Sequence, residues 1–322
     1  MMERKKYCLT ENYIEKYGRI LYQIQALQDF SYVKAGELGG FIESEDNLSQ
    51  ADHCWVACGV LIYGNAKVLD NAIVSGNVEI CDHAQIYGYA KVDAYGGSYA
   101  FINDNVEIFG YAYLSISGCD ISQKLSLTDN VKVFDNARID GGIHIFNNAQ
   151  IYGNAHICGA GRIWDNTKIF GNAHIMNIFG YFKIAGNAEI SGGYITDSAG
   201  VIGNAKVRNG QIYGSSKILG NAIIDEKAVV RGSANIGNNA YLKREEDCFC
   251  CVMGKNNYEI SFYNTLNDGI WVSYVNEFDE EKIEHCSGID DFLTFAKQHY
   301  AEKEYREFEL LVALVKSRIL GK

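Results

Sequence analysis

From Ile62 onward the chain alternates apolar and polar positions in a short, regular pattern. It reads IYGNAK, VLDNAI, VSGNVE, ICDHAQ and IYGYAK, then INDNVE and IFGYAY from Ile102. From Leu127 it resumes as LTDNVK, VFDNAR, IDGGIH and IFNNAQ, and it continues to IGNNAY at residues 236–241. Each repeat opens with Ile, Val or Leu and usually carries Ala or another small residue four places on. Gly or Asp followed by Asn commonly lies between. A β-branched residue with outward-pointing neighbours suits a very short strand. The Gly-Asn pair predicts a left-handed corner, because Gly and Asn tolerate positive φ at the least cost. One strand and one corner leave no room for a hairpin. Only winding the chain and stacking its turns buries every aliphatic side chain.

The residue after each aliphatic position tells how many repeats make one turn. From Leu127 these are Thr128, Phe134, Asp140, Phe146, Tyr152, Cys158, Trp164, Phe170 and Met176. Aromatics fill two classes in every three, so three repeats form a coil. Phe146 is then expected to sit over Trp164, and Phe134 over Tyr152 over Phe170. Ile151-Tyr152-Gly153-Asn154-Ala155-His156 returns as Ile169-Phe170-Gly171-Asn172-Ala173-His174 for the same reason. The phase does not carry across residues 93–126, where the repeats lose their length.

The repeat resembles the hexapeptide of left-handed parallel β-helix proteins, a class best known for trimeric acyltransferases. The entry segment QIQALQDFSYVKAGELGGFIESEDNLS, residues 23–49, resembles the start of the YdcK-like hexapeptide-repeat proteins. There a similar AG-x-x-GG-aromatic-I stretch leads into the solenoid. Together the two likenesses cover roughly residues 19–242. They imply an all-β solenoid, a left-handed parallel β-helix with about three strands per coil, and an acyltransferase label that rests on analogy of fold.

The ends differ from the middle. Residues 1–47 read as an N-terminal β cap, with a strand at Gly18–Leu27 and a loop from Ala35 to Gly40 before Phe41-Ile42. That loop lacks the Lys and Ser/Thr of a nucleotide-binding loop, which favours a cap over the first coil. The β-helix spans 48–242. Residues 243–322 read as a small α+β unit. Its strands are expected at Cys248–Met253, Tyr258–Tyr263 and Gly269–Tyr274, and its helices near 290–299 and 301–320. In the last helix Tyr305, Phe308, Val312, Val315 and Ile319 form one apolar face.

Composition narrows the function. A net charge of −11 and a pI near 5.1 oppose a nucleic-acid partner, which calls for a basic face. The basic start is followed by no apolar stretch, and Leu310–Val315 is too short to span a bilayer. A soluble, cytoplasmic protein with no membrane partner is expected. Its ten cysteines are then reduced by default. Cys248 and Cys250 share a strand face, and with the distant Cys286 they make a weak zinc candidate; small buried apolar residues are the favoured reading, and no metal is expected.

Two sets of residues carry candidate chemistry. The β-helix resemblance implies a surface histidine acting as general base, with acetyl-CoA or another acyl-CoA as donor. His156 and His174 are the candidates, Arg138 lies one coil earlier in their column, and Asp165 could polarise an imidazole. The same position elsewhere holds Lys132, Gln150 and Lys168, so surface filling is the competing reading. The aromatic columns, Phe134, Tyr152, Phe170, Phe146, Trp164 and Phe179, point instead to a binding surface, because exposed apolar strips mark contact with something. The favoured expectation is a non-catalytic recognition or scaffold protein without a cofactor, binding a protein partner or another copy of itself. A CoA-dependent acyltransferase is the alternative.

Overall fold

The computed structural model describes residues 5–117, 124–177, 180–253, 258–266, 269–275 and 284–321. It is a parallel β-solenoid with a small antiparallel sheet and two helices near the C-terminus. The chain divides into two compact units, Met1–Asn172 and Ala173–Lys322.

In the first unit, Tyr7–Lys16 and Arg19–Ala26 form an antiparallel hairpin, and Leu38–Ile42 joins its second strand. Phe41-Ile42 then pairs in parallel with Leu61-Ile62, which begins the winding. Three walls follow. The first runs through Leu61–Ile62, Val78–Ile80, Tyr99–Ile102, Lys124–Leu127, Ile143–Ile145 and Gly161–Ile163. The second runs from Lys67–Val68 through Lys132–Val133 and Gln150–Ile151 to Lys168–Ile169. The third runs from Trp55–Val56 through Lys91–Tyr95 and Tyr113–Ser117 to His156–Cys158. The aliphatic residues Ile62, Ile80, Ile102, Leu127, Ile145 and Ile163 all point inward with no exposed surface. Each contributes roughly 1.5–3 kcal/mol of burial.

The phase lost between residues 93 and 126 is recovered here. Lys91–Tyr95 and Tyr113–Ser117 are both lengthened, and they pair along their whole length, Lys91 with Tyr113 through Tyr95 with Ser117. The strands on either side keep their register, Phe101 pairing with Glu79 below and Ser126 above. Gly76 enters this lengthened region at φ +81, and a Cβ there would lie 1.9 Å from the Ala94 carbonyl oxygen. Only glycine fits.

The corners divide their labour differently from the expectation. The left-handed residue is the first of each pair, for example Asp129, Asp135, Asp165 or Gly153. The asparagine after it takes an ordinary conformation and builds a ladder instead. Asn130 Nδ2 donates to Asn148 Oδ1 at 3.1 Å, and Asn148 Nδ2 to Asn166 Oδ1 at 3.0 Å. The left-handed aspartates accept from the next coil, as when Asn147 N donates to Asp129 Oδ2 at 2.8 Å. Gly39 and Gly40, expected in a loop, lie in the strand Leu38–Ile42. They are needed for closeness, since a Cβ on Gly39 would meet Ile24 and the Val56 carbonyl at 2.6 Å.

The second unit carries its own coils. Glu189-Ile190 pairs with Lys206-Val207, Val207 with Ile224, and Ile224 with Leu242. After Leu242 come Cys248–Met253, Tyr258–Asn264, Ile270–Val275 and Glu284–Gly288, an antiparallel meander in that order. The fourth strand has no apolar alternation to announce it. It is recruited by backbone pairing, with Ser273 opposite Cys286. Helix α1, Ile289–His299, and helix α2, Glu302–Leu320, cover one face of the sheet. Phe262, Val272, Phe292, Phe308, Val312 and Val315 form the core between them. No helix among the described residues is long and apolar enough to cross a membrane.

Candidate functional site

The aromatic column stands where the spacing places it. Phe134 and Tyr152 stack with centroids 4.8 Å apart and planes 4° from parallel, and Tyr152 and Phe170 do so at 5.0 Å and 6°. The column begins earlier than the sequence allowed, because Tyr87 and Phe109 continue it across the irregular coils at 4.9 and 5.0 Å. Phe146 and Trp164 form a second, shorter stack at 5.9 Å. The rings of the long column are half-buried, each shielded by its neighbours. Phe179 lies outside the described residues. Tyr89 and Tyr111, on a neighbouring corner, form a further stack at 5.0 Å and are more than half exposed.

The histidine column is resolved into a specific contact. His156 pairs across the third wall with Arg138, and Asp140 with Cys158. His156 Nε2 lies 2.8 Å from Asp140 Oδ2, and Arg138 Nε donates to the same oxygen at 2.6 Å. An ionised carboxylate only accepts, so Nε2 carries the hydrogen of this contact. Asp140 is thus the orienting carboxylate. Asp165, the expected one, accepts instead from Asn147 Nδ2 at 3.0 Å. The bond to Asp140 raises the Arg138 guanidinium above its ordinary value. Burial, aided by the charge of Asp140, raises the Cys158 thiol. His174, in the second unit, packs its ring 5.4 Å from that of Tyr194.

One group had no sequence signal. Glu79 occupies an outward position on the first wall, between Leu61 and Phe101, yet its side chain is 1% exposed. Lys16, at the tip of the N-terminal hairpin, reaches it at 2.5 Å. The hydroxyls of Tyr63 and Tyr99 donate to its two oxygens. Burial alone would raise this carboxyl, but the bonds from Lys16, Tyr63 and Tyr99 outweigh it and hold it below its ordinary value. The hairpin supplies Lys16, and positions of the repeat and first wall supply Tyr63, Tyr99 and Glu79.

In the second unit a cleft of about 390 Å³ opens beside Cys248–Val252. Cys248 and Cys250 do share a face, but Cys286 does not join them. The paired positions Cys250, Ser261, Ser273 and Cys286 form one row across the sheet, so two strands separate the outer thiols. Among the described residues no three His, Cys, Asp or Glu side chains converge to hold a metal ion. No protein-family model matches the chain, and no curated protein matches it.

Proposed function

We propose that this is a non-catalytic recognition or scaffold protein of the cytoplasm, built on a left-handed hexapeptide-repeat solenoid of the YdcK-like kind. Its aromatic-lined walls engage a protein partner or another copy of the chain. The observation that supports this reading is the continuous column Tyr87–Phe109–Phe134–Tyr152–Phe170, five half-buried rings on one outward face. A rigid array of aromatic edges costs little entropy to immobilise further, which suits a binding surface. The test is sedimentation of the wild type against the pair Tyr152→Glu with Trp164→Glu, with circular dichroism to establish folding. Loss of oligomer mass in the folded variant is the expected result. An unchanged mass together with unchanged binding partners would overturn it.

The bond between His156 and Asp140 favours a second reading, CoA-dependent acyl transfer. His156 would take a proton from an amine or hydroxyl as that group attacks the thioester carbonyl and the CoA thiol departs. Thermal shifts with acetyl-CoA separate the two. A shift in the wild type that shrinks in His156→Ala, but not in His174→Ala, supports transfer; no shift in any of the three removes its support.

A further inference from the structure

The segment Cys248-Phe249-Cys250-Cys251 lies on a strand that, among the described residues, stands at the edge of its sheet and pairs with Tyr258–Asn264. Strand alternation sends Phe249 and Cys251 into the core beneath the helices. Cys248 and Cys250 face the other way, with their Sγ atoms 3.6 Å apart. Their exposures differ: Cys248 is buried and Cys250 is exposed. Behind Cys250, the Ser261 hydroxyl sits 3.6 Å from its Sγ. That oxygen accepts both from the Cys250 thiol and from Asn235 N at 3.0 Å. The contacts with Cys248 and Ser261 lower the pKa of Cys250, whereas the contact with Cys250 and burial raise that of Cys248. The arrangement has the parts of an exchange centre, an accessible attacking thiol and a sheltered one poised to resolve it.

We propose that Cys248 and Cys250 form a thiol–disulfide exchange site for small zwitterionic disulfides bound in the adjoining cleft. Its volume of about 390 Å³ is within the range of small-molecule sites. Its lining includes two cations, Arg231 and Arg318, and two anions, Glu245 and Glu259. A ligand carrying both carboxylate and ammonium groups matches that balance. The Cys250 thiolate attacks one sulfur of the disulfide, whose S–S bond breaks and releases the first thiolate, which takes up a proton. Cys248 then gives up its proton and attacks Cys250 Sγ in the mixed disulfide, expelling the second thiolate, which is protonated in turn. The dithiol loses two electrons and two protons, and the ligand becomes two thiols. Two residues along a strand span roughly 6.6–6.8 Å, near the upper limit for a bridged pair. The bridge is therefore strained and readily reduced, and a strand at the edge of the sheet can pucker to admit it. Such a pair cycles instead of locking.

The test is incubation of the full-length protein with cystine, followed by peptide mass mapping and measurement of released thiol. The wild type is expected to form the Cys248–Cys250 bridge with release of two thiols per chain. Cys248→Ser should stop at a stable mixed disulfide on Cys250, and Cys250→Ser should form no bridge. The uncharged hydroxyethyl disulfide should react about tenfold more slowly, the factor of one charge-assisted contact. Modification of Cys58 or Cys286 in preference to Cys250 would overturn the proposal. So would a mixed disulfide that persists in the wild type, or equal rates with the two disulfides.

Discussion

The aromatic column and the Glu79 cluster both lie on outward faces of the first unit, yet they are held by opposite means. In the column each side chain meets a copy of itself or a close relative one coil away, Phe134 on Tyr152 and Tyr152 on Phe170. The asparagine ladder follows the same rule. At Glu79 every neighbour is chemically different: a lysine from the hairpin and tyrosines from the first wall. Like neighbours saturate one another and leave a stable surface with few reactive groups. Unlike neighbours shift each other's protonation. The row from Cys250 through Ser261 and Ser273 to Cys286 belongs to the second kind, as does the Arg138–Asp140–His156 contact. The Glu79 cluster and the Cys250 row lie where the repeat is covered or has ended, whereas the Arg138–Asp140–His156 contact lies within the regular coils.

Mutations can break that contrast at graded cost. The largest effect is expected at Gly76, where a Cβ meets the Ala94 carbonyl oxygen at 1.9 Å. Gly76→Ala should cost about 3 kcal/mol or more in urea denaturation. Gly18→Ala, with φ +72 but nothing within 4 Å, should cost only about 1 kcal/mol. Tyr152→Ala removes a ring stacked on both sides and should cost about 2–3 kcal/mol by the same measurement.

Glu79→Gln replaces one charged acceptor among unlike partners and should cost about 2 kcal/mol at neutral pH. Its pH signature is the sharper test. The folded-state carboxyl lies below its ordinary value of 4.5, so its contribution is complete above that value and is lost as pH falls through the lower folded one. Stability profiles of wild type and Glu79→Gln should converge on acidification; parallel profiles would mean that the carboxylate charge contributes nothing. Asn148→Ala is expected to cost about 1 kcal/mol, as little as Gly18→Ala, from the broken ladder between Asn130 and Asn166.

Much of the fold was legible because a solenoid makes its long-range contacts at a fixed spacing. Tyr152 finds Phe170, and Asn136 finds Asn154, at a separation of 18 residues, and any periodic reading of the chain exposes that. The same logic failed where spacing varies. Tyr87 and Phe109 belong to the column, but coil steps of 22 and 25 residues hid them. Asp140 appeared in the sequence only as an outward position, and its role as the partner of Nε2 depended on side-chain reach. The strand Glu284–Gly288 carried no apolar alternation.

Sequence alone thus determined the winding, three strands to a coil with aliphatic side chains inward and aromatic rings in register, because burial of a periodic apolar pattern admits no other arrangement. Tertiary structure alone decided that an outward glutamate is buried, that Asp140 orients His156, and that two thiols meet beside a cleft. The first and last depend on which non-repeating segment packs against which face, and the second on side-chain reach between neighbouring coils; no local spacing encodes those choices.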